Sequence, residues 1–371
     1  MPGRSPVVDR VRADAFEVPT PGPEGDGTLT WDATTIVVVR VDAGDVTGLG
    51  WTYADAACVP LVEGKLAAAV TGQPVADVPA RWTAMQHAVR NLGRPGLVSC
   101  ALSAVDIALW DAAARWLDVP VSRLLGRVHE TVDVYGSGGF TTLGEGELVA
   151  QLDDWVRRRR IPRVKIKIGE SWGRAVHRDL ERVALTRDKV GDDVEVFVDA
   201  NGGYSAGQAR RVAERLIEWG VSWFEEPVSS DDLAGLAAVR VPGGPDVAAG
   251  EYGYDLPYFA RMLPVVDCLQ VDVTRCGGFT EWRRAAALAA AANRDVSAHC
   301  APNLSAHAGV ATPNFRHIEW FADHDRIESL FFDGCLDPAG GAVTPDLSAP
   351  GLGLAFRADA AAEYPVRRRN P

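Results

Sequence analysis

The chain has 371 residues, 47% of them hydrophobic, and carries 38 lysines and arginines against 50 aspartates and glutamates, for a formal net charge of −12. That is enough chain to bury a large core with a smaller companion domain, and too apolar a composition for disorder. The acidic balance, with no basic stripe, argues against nucleic-acid and acidic-membrane partners. No run of eighteen consecutive apolar residues and no signal-type start is present, and Cys58, Cys100, Cys268, Cys276, Cys300 and Cys335 are scattered without a C-x-x-C pair. A soluble cytoplasmic protein with reduced thiols and no membrane span is expected.

The first elements are "VVDRVRADAFEV" and "TTIVVVRVDAGDVTGLGWTY", which alternate or run apolar like strands of an antiparallel meander. Between them "PTPGPEGDGTLTWDA", residues 19–33, is rich in glycine and proline and predicts a mobile loop. Two helical patterns follow, "VADVPARWTAMQHAVRNLG" and "SCALSAVDIALWDAAARWLDV". Together these make an α+β domain over residues 1–128. The cluster "RRRR" at 157–160 follows "QLDDWV" and reads as a solvated helix end.

From residue 129 to about 325 the rhythm changes. Short apolar strands ("TVDVYGSG", "RVKIKIG", "VEVFVDAN", "VSWFEEP", "DVAAGE", "CLQVD", "DVSAHC", "RHIEWF") recur with amphipathic helices between most of them. A strand–helix alternation repeated about eight times predicts an α/β fold, a parallel (β/α) TIM-like barrel. The remaining segment, 326–371, is non-periodic and is expected to return to the first domain.

In such a barrel, chemistry collects at the C-terminal ends of the strands. Those ends carry Asp199, Glu225, Glu251, Asp272, His299 and Glu319. Asp199, Glu225 and Glu251 are 26 residues apart in each step, one strand–helix unit, so three neighbouring strands offer one oxygen ligand each to one point. Such a cluster repels itself unless a cation occupies it, and hard oxygen donors without cysteine or histidine favour Mg²⁺ over zinc. In "RVKIKI", Lys165 and Lys167 lie two apart on one strand face and so point together into the barrel. Lys165, aided by the metal, is then expected to lower the pKa of Lys167 by like-charge repulsion. Asp272, one strand before His299, is placed to accept the imidazole N–H and fix its tautomer.

The set K-x-K at 165–167, "DAN" at 199–201, "EEP" at 225–227, "GE" at 250–251, "QVD…GG" at 270–278, His299 and Glu319 resembles the enolase superfamily, specifically its mandelate racemase subgroup, over nearly the whole chain. The resemblance implies a modified, enolase-type barrel with an N-terminal capping domain. It implies Mg²⁺ at Asp199, Glu225 and Glu251, Lys167 as one acid/base, and the His299–Asp272 dyad as the other. Asp272 stands where muconate-cycloisomerase-like members carry a lysine, which counts against that chemistry. The α-proton of a small carboxylate substrate would leave through an enediolate, and Glu319, if protonated, would donate a hydrogen bond to the developing oxyanion.

Two outcomes follow from the enediolate. A β-hydroxyl on the substrate permits dehydration of a sugar acid to a 2-keto-3-deoxy acid, with His299 as general acid, and this is the preferred reading. Without one, reprotonation on the opposite face gives a racemase or epimerase. A barrel that binds a carboxylate without turning it over is the reading from another class. Trp31, Ser137, Asn201 and Asn303 are candidate substrate contacts. Glu24, Asp26, Thr28, Thr30 and Asp32 in the 19–33 segment offer further polar groups, and Gly136, Gly138 and Gly139 leave room or serve a tight turn. A homo-oligomer is expected.

Overall fold

The computed structural model describes residues 5–366. Strands β1 (Arg10–Gly25), β2 (Thr30–Ala43) and β3 (Val46–Tyr53) form an antiparallel sheet in the order β1-β2-β3. The helix Leu97–Leu117 packs on it. That helix is long and apolar enough to cross a membrane by composition, but most of it is buried between β3 and the barrel helix Gly278–Ala291, so its apolar surface is core. The 19–33 segment departs from the expected mobile loop. β1 and β2 extend through it as a hairpin, with one register shift between Pro19 and Glu24 and a turn at 26–29. The prolines and glycines that read as loop punctuation lie at that irregularity and at the hairpin tip.

Eight parallel strands close the barrel: β4 (Val132–Gly138), β5 (Arg163–Lys167), β6 (Glu195–Asp199), β7 (Val221–Glu225), β8 (Asp246–Ala249), β9 (Cys268–Val271), β10 (Asp295–Ala298) and β11 (Phe315–Phe321), with β11 pairing back to β4. The strands are short and almost wholly buried, as a sheet covered on both faces demands. Val164 and Ile166 pack outward into the main core. A separate inner cluster of Tyr135, Phe197, Trp223, Ala248 and Cys268, with the ring of His317, plugs the barrel beneath the strand ends. This plug fills the barrel floor beneath the site.

The segment after the barrel packs against the first domain. Phe332 lies 4.4 Å from Trp51 between ring centroids, Phe16 meets Phe331 at 5.3 Å, and the Leu352 N–H donates to Asp111. The arginine cluster is paired within its own turn and beyond: Arg157 with Asp153 (2.8 Å), Arg158 with Asp154, and Arg159 with Asp154 and Asp325.

Candidate active site

The register of the barrel brings the predicted residues to one level. Lys167 on β5 is opposite Asp199 on β6, and Asp199 is opposite Glu225 on β7. Glu251 lies just beyond β8, after Gly250, whose φ of +137° turns the chain and whose Cβ, if it had one, would stand 2.3 Å from the Gln270 carbonyl oxygen. Only glycine fits that bend. Asp272 and His299 follow β9 and β10 directly, and Glu319 sits on β11. Several residues at these ends hold positive φ without being glycine: Asn201 (+45°), Glu226 (+36°), Cys300 (+49°) and Ala301 (+41°). Strained backbone of this kind persists where the surroundings over-determine it.

Asp199, Glu225 and Glu251 are all buried, and one oxygen from each lies within 4.8 Å of the others. The Glu251 Oε2, Glu226 Oε1 and Asn201 Oδ1 atoms around them are buried without a hydrogen-bond partner. A hard, oxygen-only donor set with unsatisfied acceptors fits a divalent cation.

Lys165 and Lys167 do point inward, but they do different things. Lys165 is fully buried and does not line the cavity; its Nζ donates to Glu225 (2.5 Å) and pairs with Glu319 (2.7 Å). Lys167 reaches the cavity and pairs with Asp199 at 2.5 Å. Among the protein groups alone, the expected depression of its pKa does not arise. Burial pushes the ammonium down, yet Asp199, together with Glu319 and Glu225, outweighs burial and the repulsion from Lys165 and holds Lys167 above the ordinary lysine value. Glu319 also departs from expectation. Burial would raise its pKa, but Lys165 foremost, with His299, holds it well below the usual carboxylate range, and its Oε1 pairs with Lys165 at 2.7 Å.

His299 Nδ1 lies 2.8 Å from Asp272 Oδ2, while the Thr274 N–H and hydroxyl both hold Asp272 Oδ1 at 2.7 Å. Burial would raise the Asp272 pKa, but the hydrogen bond from His299 and the Arg275 guanidinium bring it below the usual value. The dyad is therefore a fixed carboxylate orienting one ring, leaving Nε2 toward Glu251 (3.3 Å) and Glu319 (3.6 Å).

A cavity of about 440 Å³ opens over these groups. Of the candidate substrate contacts, Trp31 and Asn201 line it and Ser137 and Asn303 do not. Ser137 is buried below and donates to Glu319 Oε1 (2.6 Å), while Asn303 donates to Glu328 (2.7 Å) and accepts from the Leu336 N–H, so both amide ends are engaged in structure. Gly136 and Gly138 make room for helical neighbours rather than substrate, since a Cβ would meet Trp155 and Gln151. In the hairpin, Asp26 lines the cavity, Glu24 accepts from Trp31 Nε1 (3.0 Å), and Thr28 and Thr30 border a separate hollow. The sequence reading missed Tyr53, Asp55, Arg275 and His324, all on the wall. Arg275 was within reach, three residues after Asp272 in the same strand-end segment, and His324 begins the helix after β11. Tyr53 and Asp55 carry no sequence signal, because they come from the other domain.

Two family models match: the mandelate racemase/muconate lactonizing enzyme N-terminal domain over residues 14–126 and the enolase C-terminal domain-like model over 147–360. The chain belongs to the mandelate racemase/muconate lactonizing enzyme family of the enolase superfamily. A mandelate racemase/muconate lactonizing enzyme-like protein from Rubrobacter xylanophilus is similar at 46% identity and a TM-score of 0.94, covering 97% of this chain and 100% of that one. A racemase from Streptomyces coelicolor A3(2), solved with bound magnesium, is 28% identical with a TM-score of 0.90, over 97% and 100% of the two chains. The 3,6-anhydro-alpha-L-galactonate cycloisomerase of Streptomyces coelicolor is 31% identical over 84% of this chain and 88% of its own length, and sugar-acid dehydratases are among the further relatives. This family member is thus an enolase-superfamily enzyme.

Proposed function

We propose that this enzyme removes the α-proton of a carboxylate substrate and, when the β-carbon bears a hydroxyl, dehydrates a sugar acid to a 2-keto-3-deoxy acid. One observation carries the reading: Lys167 and His299, the two groups able to carry a proton, face one cavity from β5 and from the end of β10, with β4 and β11 between them. Asp199, Glu225 and Glu251 would hold Mg²⁺. That ion, when bound, supplies the positive charge that stabilises an enediolate and shares the carboxylates that now hold Lys167 protonated. Lys167 takes the proton from one face. His299, fixed by Asp272, presents Nε2 to the other, where in its protonated form it donates to the departing hydroxyl. Lys165 positions Glu225 and Glu319 from beneath, and the plug under them fills the floor.

The similarity to sugar-acid dehydratases supports elimination, as does the polar wall of the cavity. The racemase reading is favoured by the same two-sided placement. A reduced, intracellular setting is consistent with six free cysteines. Screening a library of sugar acids for 2-keto products decides the matter. Products are expected, and His299→Asn should lower their formation about 10²–10⁴-fold while α-proton exchange persists. No product from any sugar acid, with symmetric exchange of both enantiomers of a 2-hydroxy acid, would establish the racemase instead.

A further inference from the structure

The cations on the cavity wall are all on one side. Lys167 and Arg275 come from the ends of barrel strands and the segments after them and stand beside the carboxylate trio. The wall from the first domain offers Asp26, Thr34, Thr35, Tyr53 and Asp55, with no lysine or arginine. Asp26 Oδ1 accepts from the Thr28 and Leu29 N–H groups and Asp55 Oδ1 from the Ala57 N–H, so each turn fixes one carboxylate oxygen and leaves the other. Arg326, on the helix that follows β11, is paired with Asp323 and does not line the cavity. A second carboxylate on a substrate would lie against Asp26 and Asp55 without a counter-ion, and like charges facing each other cost enough to reject a ligand.

His324 completes this wall. Its Nδ1 accepts the Ala301 N–H at 3.2 Å, which assigns the ring proton to Nε2. The ring stacks on Tyr53 at 3.4 Å and 10°, and the Tyr53 hydroxyl is itself held by Glu328 Oε1 at 3.2 Å. Burial, with the charge of His299, keeps the imidazole neutral. Among the described residues the only hydrogen bond to this ring is the one at Nδ1, and the ring lines the cavity. A neutral, rigidly held N–H donor can bond a distal hydroxyl oxygen, and it brings no positive charge to offset the repulsion that a second carboxylate would meet from Asp26 and Asp55.

We propose that this wall selects monocarboxylates: His324 donates to a distal hydroxyl of the substrate, and Asp26 and Asp55 exclude a second acid group. The inference rests on the proton-abstraction reading and narrows its substrate class to aldonate-type rather than aldarate-type acids.

The test sets six-carbon aldonates against aldarates of the same configuration on the Mg²⁺-loaded enzyme, reading turnover, solvent-deuterium uptake at C2 and, independently of turnover, calorimetric binding. The aldonate should be favoured about 100-fold in kcat/KM and in affinity. His324→Phe, which keeps a ring on Tyr53, should raise KM for the aldonate about tenfold relative to its effect on a short 2-hydroxy acid without distal hydroxyls. Asp55→Arg should narrow the aldonate-to-aldarate ratio. Equal or better binding of aldarates, or a His324→Phe effect identical for long and short acids, would overturn the proposal. Tighter aldonate binding with no deuterium uptake into any acid would instead uphold the selection and defeat the proton-abstraction reading.

Discussion

Glu225 shows how closely structure and chemistry are joined in this site. Its two oxygens accept from Lys165 (2.5 Å), Trp223 Nε1 (2.9 Å) and Gln270 Nε2 (3.0 Å), and it is completely buried. Removing its charge leaves Lys165 with Glu319 as its close partner, and breaking a buried pair in this way costs about 3–5 kcal/mol. Glu225→Gln should therefore abolish turnover and lower the melting temperature, and it should also remove the rise in melting temperature that added Mg²⁺ gives the parent protein by binding the folded state. Thermal melts with and without Mg²⁺ check this; an undiminished Mg²⁺ response in the variant would show that the ion sits elsewhere. The convergence of Asp199, Glu225 and Glu251 was readable from their even spacing of one strand–helix unit, and the pairing of His299 with Asp272 from their places after neighbouring strands. The protonation states were not readable. Whether Lys167 faces Asp199 or Lys165 more closely, and whether Glu319 meets Lys165, depends on distances of a few tenths of an ångström across strands.

The β1–β2 hairpin was the element least legible in the sequence. Its glycines and prolines are the residues of a loop, yet its tip is clamped on the barrel: the Thr141 N–H and hydroxyl bond the Gly25 and Asp26 carbonyls, and the Trp172 N–H bonds Gly27. A Cβ at Gly27 would stand 2.6 Å from the Ile168 carbonyl oxygen and 2.7 Å from that of Gly169. Gly27→Val should lift the tip, cost about 1–3 kcal/mol, and raise KM by displacing Asp26 and Trp31. Steady-state kinetics together with a denaturant melt measure both; a variant with unchanged KM would separate the tip from the site. Tertiary contacts of this sort, between segments more than a hundred residues apart, leave no local pattern to read.

The two domains and the returning segment meet at Glu328, which accepts from Trp51 and Tyr53 of β3 and from the Asn303 backbone and side chain. Burial nevertheless pushes its pKa up to about 7. The folded state therefore binds this proton more tightly than the unfolded chain, whose glutamates titrate near 4.5. The stabilisation it gives is fully present below about pH 4.5 and is lost as pH rises through about 7, a change of about 3 kcal/mol. Glu328→Gln should flatten the fall in stability between pH 5 and pH 8, whatever its effect on absolute stability, and an unaltered slope in denaturant melts would remove Glu328 from the account.

The assembly as a whole exists to hold Lys167 and the His299–Asp272 dyad over one carboxylate-lined floor, and solvent-deuterium exchange at the α-carbon reads that most directly. With Mg²⁺ present, the enzyme should wash deuterium into the α-position of a sugar acid. Chelation should stop the exchange, and Lys167→Ala should abolish it for the substrate configuration that lysine serves. Exchange that is absent with Mg²⁺ across a broad set of carboxylic acids, or that survives the combined loss of Lys167 and His299, would contradict the account.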